Sequence, residues 1–451
     1  MRKRISAFFS VLAAIVLLTV PASAASSGST LKIICADAGQ VIFTPPGSTQ
    51  YAYRYGPAIL IDGDRIDIWA SAPPLVSNGV RYGNDSIEYI RSTDGGKTWT
   101  GWKTVLYPTL NSEDQWSTCD PGAFKYGDYY YVGYTGSPEF RTNPDKEKQV
   151  NNLFIARAKN PEGPYEKWNG NGWGGDPYAI TRYSGDGVGC SMPSFTVKGD
   201  TLYMYYVDQT HPDQDWNSEG NISVSTFSLK DPNWPGNELS NKMCENKPEE
   251  VRYCPDIDKF IGFQLKGGWD YDSYVEIYES TDGVNFTKTS SFRNNFPHYA
   301  HNIGISGNNL GQLDLSIQNY IGTAYTPTGV EAWWGHWHTQ LIPLYIREEQ
   351  PSSTTPSQPS GSTDSSSQKP TTSSVGSTDG KSSETEVSEP QNSNIESTVS
   401  DDKDKDKEVN NKTEQQEETS YLWLYIVIGA VVVLAGAGTA VYFLVIKKKH
   451  V

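Results

Sequence analysis

The sequence predicts an all-β fold, a five-bladed β-propeller, on three observations. One hairpin phrase occurs three times: GPAILIDGDRIDIW from Gly56, DPGAFKYGDYYYVGY from Asp120 and MPSFTVKGDTLYMYY from Met192. In each, a proline leads a short apolar strand, a Gly-Asp turn follows (Gly63-Asp64, Gly127-Asp128, Gly199-Asp200), and a second strand returns. Hairpin units repeated at this spacing belong to radial β architectures. Strand-length runs bounded by Gly, Asn and Asp fill the middle of the chain, where helical periodicity is almost absent. Aromatic content is 12%, with 28 Tyr and 13 Trp, which suits β-structure and the flat faces that sugar rings meet.

The chain of 451 residues opens with MRKR, an apolar run from Ile5 to Val20 and Ala22-Ser23-Ala24. A basic start, an apolar centre and a small-x-small site predict a secretory signal over residues 1–24. Residues 25–347 are expected to form the propeller. Its first unit spans about Val41 to Lys103, with hairpin Ala58–Trp69, strand Ser86–Ser92 and a closing strand near Trp99–Leu106. The second runs from Trp116 to Trp168, with strand Leu153–Ala158 and the closing segment GPYEKW. The third runs from Val188 to about Pro232, with Asn221–Phe227 as its third strand. The fourth uses VRYC, a turn at Pro255–Asp258, KFIGFQ and strand Tyr274–Ser280. The fifth runs from His301 to about Ile346. The stretch Ile33–Thr44 is expected to add an outer strand to the last unit and close the ring, which removes exposed sheet edges.

Ser92-Thr93-Asp94-Gly95-Gly96-Lys97-Thr98-Trp99 fits the Asp-box pattern SxDxGxTW, and Ser280–Phe286 is a shortened copy. Such a box is a structural turn: the aspartate bonds turn amides, the glycines permit positive φ, and the aromatic packs back on the blade. The five cysteines, Cys35, Cys119, Cys190, Cys244 and Cys254, leave at least one unpaired. Cys244 and Cys254 could close a small loop, or all five could be small buried apolar residues.

Residues 348–420 turn to Ser, Thr, Pro, Gln, Glu, Asp and Lys, a composition that buries no core and predicts a disordered stalk. Tyr421–Ile446 carries no charge and is long enough to span a bilayer; Lys447, Lys448 and Lys449 follow. A single transmembrane helix is expected there, with residues 447–451 cytoplasmic and the propeller at the cell surface. The net charge of −16 excludes nucleic acid as a natural partner.

Asp120-Pro121, the YGDYYYVGY hairpin and IARAKNPEGPYEKW (Ile155–Trp168) resemble phrases of glycoside hydrolase family 43 and related glycosidases. The resemblance implies a five-bladed propeller that hydrolyses glycosidic bonds with carboxylates set on the first strands of successive blades, two of them flanking the scissile bond. Asp120 stands in register with that set. Gly56 precedes Pro57 where the family has Asp-Pro, and Ser191-Met192-Pro193 stands where it has Glu-Gly-Pro. A non-standard carboxylate set is therefore expected: Asp120 with Asp85 and Glu250 from neighbouring blades, their pKa values pushed apart by proximity. Arg54, Trp116, Arg252, Trp269 and His301 are expected on the same rim as substrate-binding groups, with His211 nearby. A fifth-blade histidine of the family approaches a bound ion, so a structural ion near His301 is the one cofactor considered. No metal-ligand spacing and no nucleotide, flavin or zinc motif is present. Two functions fit: a surface-anchored glycosidase acting on a polysaccharide or glycan, or a non-catalytic glycan-binding module or adhesin. A sialidase would require an arginine cluster and usually six blades, against the repeat count.

Overall fold

The computed structural model describes residues 29–46, 52–143, 146–182, 188–210, 220–327 and 336–349. The expected signal segment, residues 350–420 of the stalk, the membrane span and the tail lie outside the described residues, as does His211. All regular elements among them are strands. They begin with β1 (Thr30–Cys35) and β2 (Gln40–Phe43). The first blade holds β3 (Tyr55–Asp62), β4 (Arg65–Ala72), the small hairpin β5 (Leu75–Ser77) and β6 (Val80–Tyr82), then β7 (Ser86–Ser92) and β8 (Lys103–Leu106). The second holds β9 (Ser117–Tyr126), β10 (Tyr129–Ser137), the side hairpin β11 (Phe140–Asn143) and β12 (Lys146–Gln149), then β13 (Asn152–Ala158) and β14 (Glu166–Lys167). The third is β15 (Gly189–Lys198), β16 (Thr201–Gln209), β17 (Asn221–Ser228) and β18 (Glu238–Met243). The fourth is β19 (Glu250–Cys254), β20 (Lys259–Lys266), β21 (Tyr274–Ser280) and β22 (Thr287–Phe292). The fifth is β23 (Ala300–Gly307), β24 (Asn319–Tyr325) and β25 (His338–Glu349).

Each blade is an antiparallel sheet read from the axis outward in chain order, β3-β4-β7-β8 being the first. The fifth is completed from the other end of the chain: β1 pairs β25 from Thr30↔Glu349 to Cys35↔Leu344, and β2 pairs β25 as well. Alternation drives this closure. Leu31, Ile33 and Cys35 point into the core while Thr30, Lys32 and Ile34 face out. A hydrophobic core lies between each pair of neighbouring blades, the fourth and fifth sharing the cluster that contains Ile33, Phe263, Ile277 and Ile305.

Two boundaries move from their expected places. The third blade continues past Pro232 to Met243, because the Pro-rich stretch turns (Trp234 N–H to the Asp231 carbonyl, 3.0 Å) with the Trp234 ring buried against blade two. The last strand reaches Glu349, two residues past the expected boundary. All five cysteines are free and buried. Cys244 sits in the core between blades three and four and Cys254 in that between blades four and five, so the loop they could have closed is not formed.

The inner strands share one local feature. Gly56, Asp120, Met192 and Asn302 have φ of 57°, 48°, 56° and 56°, and each sits at a break in the register with the second strand. These are β-bulges, which re-aim side chains and terminate pairing. Two positions later the residues are small: Ala58, Gly122, Ser194 and Gly304. The reason is contact between backbones. A Cβ on Gly122 would lie 2.0 Å from the Pro193 carbonyl oxygen, and one on Gly304 would lie 1.6 Å from that of Pro57. At the opposite end of the axis, Asn309 and Leu310 carbonyls accept from Lys125 N (2.5 Å) and Val197 N (3.0 Å). Leu313 N donates to Tyr253 O (2.9 Å), and Asn309 Nδ2 to Asp62 Oδ2 (3.2 Å). This β23–β24 strap thus ties blade five to the inner strands of the other four.

Gly304→Ala should destabilise the fold by about 3 kcal/mol or more, since the methyl group meets backbone that cannot yield. Gly101→Ala, with nothing within 4 Å of its Cβ, should stay within about 0.5 kcal/mol of the parent. Urea denaturation of both variants decides it; equal midpoints would show that the inner strands are not packed this tightly.

Candidate functional site

The bulges aim residues at the axis. Gly56, Asp120, Pro121, Met192, Pro193, Glu250, Asn302 and Ile303 line a narrow axial pocket. It adjoins a cavity of about 540 Å³, whose wall shares Asp120, Met192 and Asn302 and adds Tyr55, Asn151, Gln209, Lys247, Glu249, Gln264, Trp269 and His301 among others. A concave site with aromatic walls and a few convergent polar groups is the usual form of a small-ligand site.

Asp120 is the carboxylate that both pockets share. Its backbone N–H donates to Ser71 Oγ (2.7 Å) on β4 of the preceding blade. The same link recurs one blade on, where Met192 N donates to Thr135 Oγ1 (2.9 Å) on β10. A threonine hydroxyl has one proton. With its oxygen accepting from Met192, that proton is available to the Asp120 carboxylate, and the Cys119 thiol lies 3.5 Å from Oδ2. These weak donors only partly offset burial, which pushes the Asp120 carboxyl up to about 6; the Asp85 charge pushes the same way, and no basic side chain is among the groups that act on it.

The other expected carboxylates are held differently. Asp85 is 3% exposed and lies behind Asp120, accepting from Tyr53 Oη (2.5 Å), Ser117 Oγ (2.9 Å) and Asn84 Nδ2 (3.2 Å). Burial raises its pKa, and it lines neither pocket. Glu250 reaches the axis but is paired with Arg252 (2.8 Å) and accepts from Ser194 Oγ (3.1 Å). Burial raises its pKa while Arg252 opposes the rise. Arg252 also donates to the Ile305 carbonyl and to Ser194 Oγ (2.7 Å), so the pair bridges blades three, four and five where blade four has no bulge.

Arg54 turns to the flank of its blade, 2.5 Å from Glu88 and over the Phe43 ring at 4.6 Å. Trp116 is half-buried, bonded through its backbone to Ser137 and Asn84, and lies off the cavity wall. Trp269 and His301 do line the cavity, their ring centroids 4.2 Å apart, with Trp337 4.4 Å from His301 and Tyr55 5.5 Å from it. Burial among these rings pushes the His301 imidazole down to about 3, so it is neutral at ordinary pH. His301 thus sits in an aromatic cage, and no group of three or more His, Cys, Asp or Glu side chains that could hold a metal occurs among the described residues. Asp94 and Asp282 close their turns, Asp282 accepting from Asn285 N (2.8 Å) and Asp94 from Thr98 Oγ1 (2.6 Å) and Thr98 N (2.9 Å); the two Thr98 bonds hold the Asp94 carboxyl down at about 2.

Sequence reasoning passed over Glu249, Lys247, Gln209, Gln264 and Asn302. Glu249 stands beside Glu250, just before β19 begins, and which of two adjacent glutamates faces a cavity is decided by packing that no local pattern records. Asn302 had a legible signal, since Asn302-Ile303-Gly304 repeats the Gly56-Pro57-Ala58 pattern without its proline.

The architecture is a five-bladed, all-β propeller with a ligand-sized cavity on its axis. Among solved structures the chain is similar to an α-L-arabinofuranosidase from Podospora anserina determined with cellotriose (11% identity, TM-score 0.45, 71% of this chain and 98% of that one). It is also similar to a family 117 glycoside hydrolase from Zobellia galactanivorans (14%, 0.45, 72% and 92%) and a family 43 enzyme from Xanthomonas citri (13%, 0.44, 67% and 90%). No family model and no curated protein matches the sequence.

The folded Asp120 value, about 6, lies above its ordinary 3.8. Its proton therefore stabilises the fold fully below pH 3.8, and that stabilisation is lost as pH rises through 6. Asp120→Asn removes the penalty of ionisation. It should match the parent near pH 4 and exceed it at pH 8 by up to about 3 kcal/mol, less whatever cavity water screens. Urea midpoints at the two pH values test this; a variant that gains nothing at pH 8 would place Asp120 in solvent.

Proposed function

We propose that the cavity binds a carbohydrate and hydrolyses a glycosidic bond, with Asp120 as the group that carries the proton. One observation carries the reading: a half-buried carboxyl with no cationic partner, its pKa raised to about 6 by desolvation, opens onto a polar, aromatic-walled cavity. A general acid must hold its proton near working pH, and burial without a counter-charge is how a carboxyl does so. Asp120 gives its proton to the leaving oxygen as the bond to the anomeric carbon breaks. Glu249, on the same cavity, takes a proton from the water that attacks that carbon. Trp269 offers a ring face to the sugar, and Gln209, Gln264 and Asn302 offer hydrogen bonds to its hydroxyls.

A second reading, glycan binding without turnover, is favoured by one observation. Gly56, Met192 and Asn302 occupy three of the four bulge positions, leaving Asp120 the single carboxylate among them. A hydrolysis and glycan-binding screen on residues 25–350 separates the two. If the protein is a hydrolase, Asp120→Asn should lower turnover about 10²–10⁴-fold with ligand binding kept, and Glu249→Gln should do likewise. Full activity in Asp120→Asn sinks the assignment, and binding by the parent with no hydrolysis selects the second reading.

The uncharged stretch Tyr421–Ile446 and its following lysines support a further proposal: the propeller is displayed outside the cell on a stalk. Protease added to intact cells should release a soluble fragment containing the propeller. A body that stays protected reverses the orientation.

A further inference from the structure

Trp269 and His301 form the first rung of an aromatic ladder that continues out of the cavity. The segments 269–271 and 298–300 run side by side: Trp269 N donates to Ala300 O (2.9 Å) and Tyr299 N to Asp270 O (2.9 Å). The next rung is Tyr271 on His298, ring centroids 3.8 Å apart and planes 17° from parallel. Trp269 lines the cavity; Tyr271, two residues on, is 58% exposed.

An exposed tyrosine standing alone is ordinary. This one is held in place. Its loop is pinned by Ser273, whose single Oγ proton lies between the Gly267 and Asp270 carbonyls (2.8 Å from each) and whose oxygen accepts from Ala300 N (3.1 Å). His298 covers one face of the ring, and Tyr299 meets it edge-on at 5.8 Å, 71°. The other face is left to solvent in a fixed orientation, so a flat ligand stacking there meets little ordering cost.

We propose that Tyr271 is a second sugar-stacking platform outside the cavity, so that the ligand is an oligosaccharide or polysaccharide chain of at least two rings. This rests on the carbohydrate reading of the cavity. One ring occupies the cavity against Trp269, and the next leaves it along the ladder and lies on Tyr271. The cavity alone recognises the single sugar, and Tyr271 contributes only when the chain is long enough to reach it.

The test is titration calorimetry of the full chain with xylo-, arabino- and cello-oligosaccharides of two to four units and with xylose, arabinose and glucose. Tyr271→Ala should weaken oligosaccharide binding about tenfold and leave monosaccharide binding unchanged. Tyr271→Phe should bind as the parent, because the ring face and not the hydroxyl is used. Unchanged oligosaccharide affinity in Tyr271→Ala overturns the platform, and so does an equal loss for monosaccharides, which would mark a disturbed cavity. A parent protein that binds none of these sugars overturns the carbohydrate reading itself, and the platform with it.

Discussion

Backbone contact at the axis governs the rest of the structure. Where inner strands pass, the carbonyl of Pro193 occupies the space a Cβ on Gly122 would take, and the carbonyl of Pro57 does the same at Gly304. Strands this close leave no room for side chains between them, so a bulged residue that has a side chain must aim it along the axis. Asp120, Met192 and Asn302 accept a left-handed backbone to do so, and Gly56 adopts the same conformation with no side chain to place. For Asp120, Met192 and Asn302 that conformation carries strain, which a fold maintains only when its surroundings over-determine it. Blade four departs from the pattern, and there the Glu250–Arg252 pair takes over, with guanidinium bonds replacing close backbone contact.

The buried carboxylates show how burial divides structure from chemistry. Asp114 is fully buried beside Lys167 at 2.5 Å and accepts from Tyr134 Oη at 2.9 Å and Thr109 N at 2.8 Å. Glu250 has Arg252, and Asp85 has three donors. Each of these is satisfied where it stands, as a buried charge must be if it is to hold a fold together. Asp120 has a thiol and a hydroxyl, no counter-charge and an opening to the cavity. The incomplete satisfaction of that one group leaves it a proton to exchange near neutral pH.

The two ends of the axis differ in kind. The β23–β24 strap bonds to all four other blades through backbone groups and short side chains, so that end is fixed by contacts that do not depend on any ligand. The cavity end is built from side chains: aromatic rings around His301, amides, and the charged Lys247 and Glu249. The polar and aromatic side chains thus gather at the end of the axis that backbone bonds do not close.

The sequence by itself determined the blades. Short strand-length runs, Gly-Asp turns and the Pro-led strands at 57, 121 and 193 are local signals, written within a few residues of the structure they specify, and they placed third strands such as Ser86–Ser92 and Tyr274–Ser280 at their observed bounds. The Asp-box turns were legible for the same reason. Asp120 was expected at the axis because Asp120-Pro121 resembles a phrase of the glycosidases, and it does line both axial pockets. Tertiary structure alone decided the company each side chain keeps. Arg54 met Glu88, Arg252 met Glu250, and Asp85 met Tyr53, each removed from the cavity by a partner that the one-dimensional pattern does not name. Glu249 rather than Glu250 lies on the larger cavity because Glu250 opens β19 and turns to Arg252 while Glu249 stands just before the strand, and only the packed ring fixes which of the two faces the cavity.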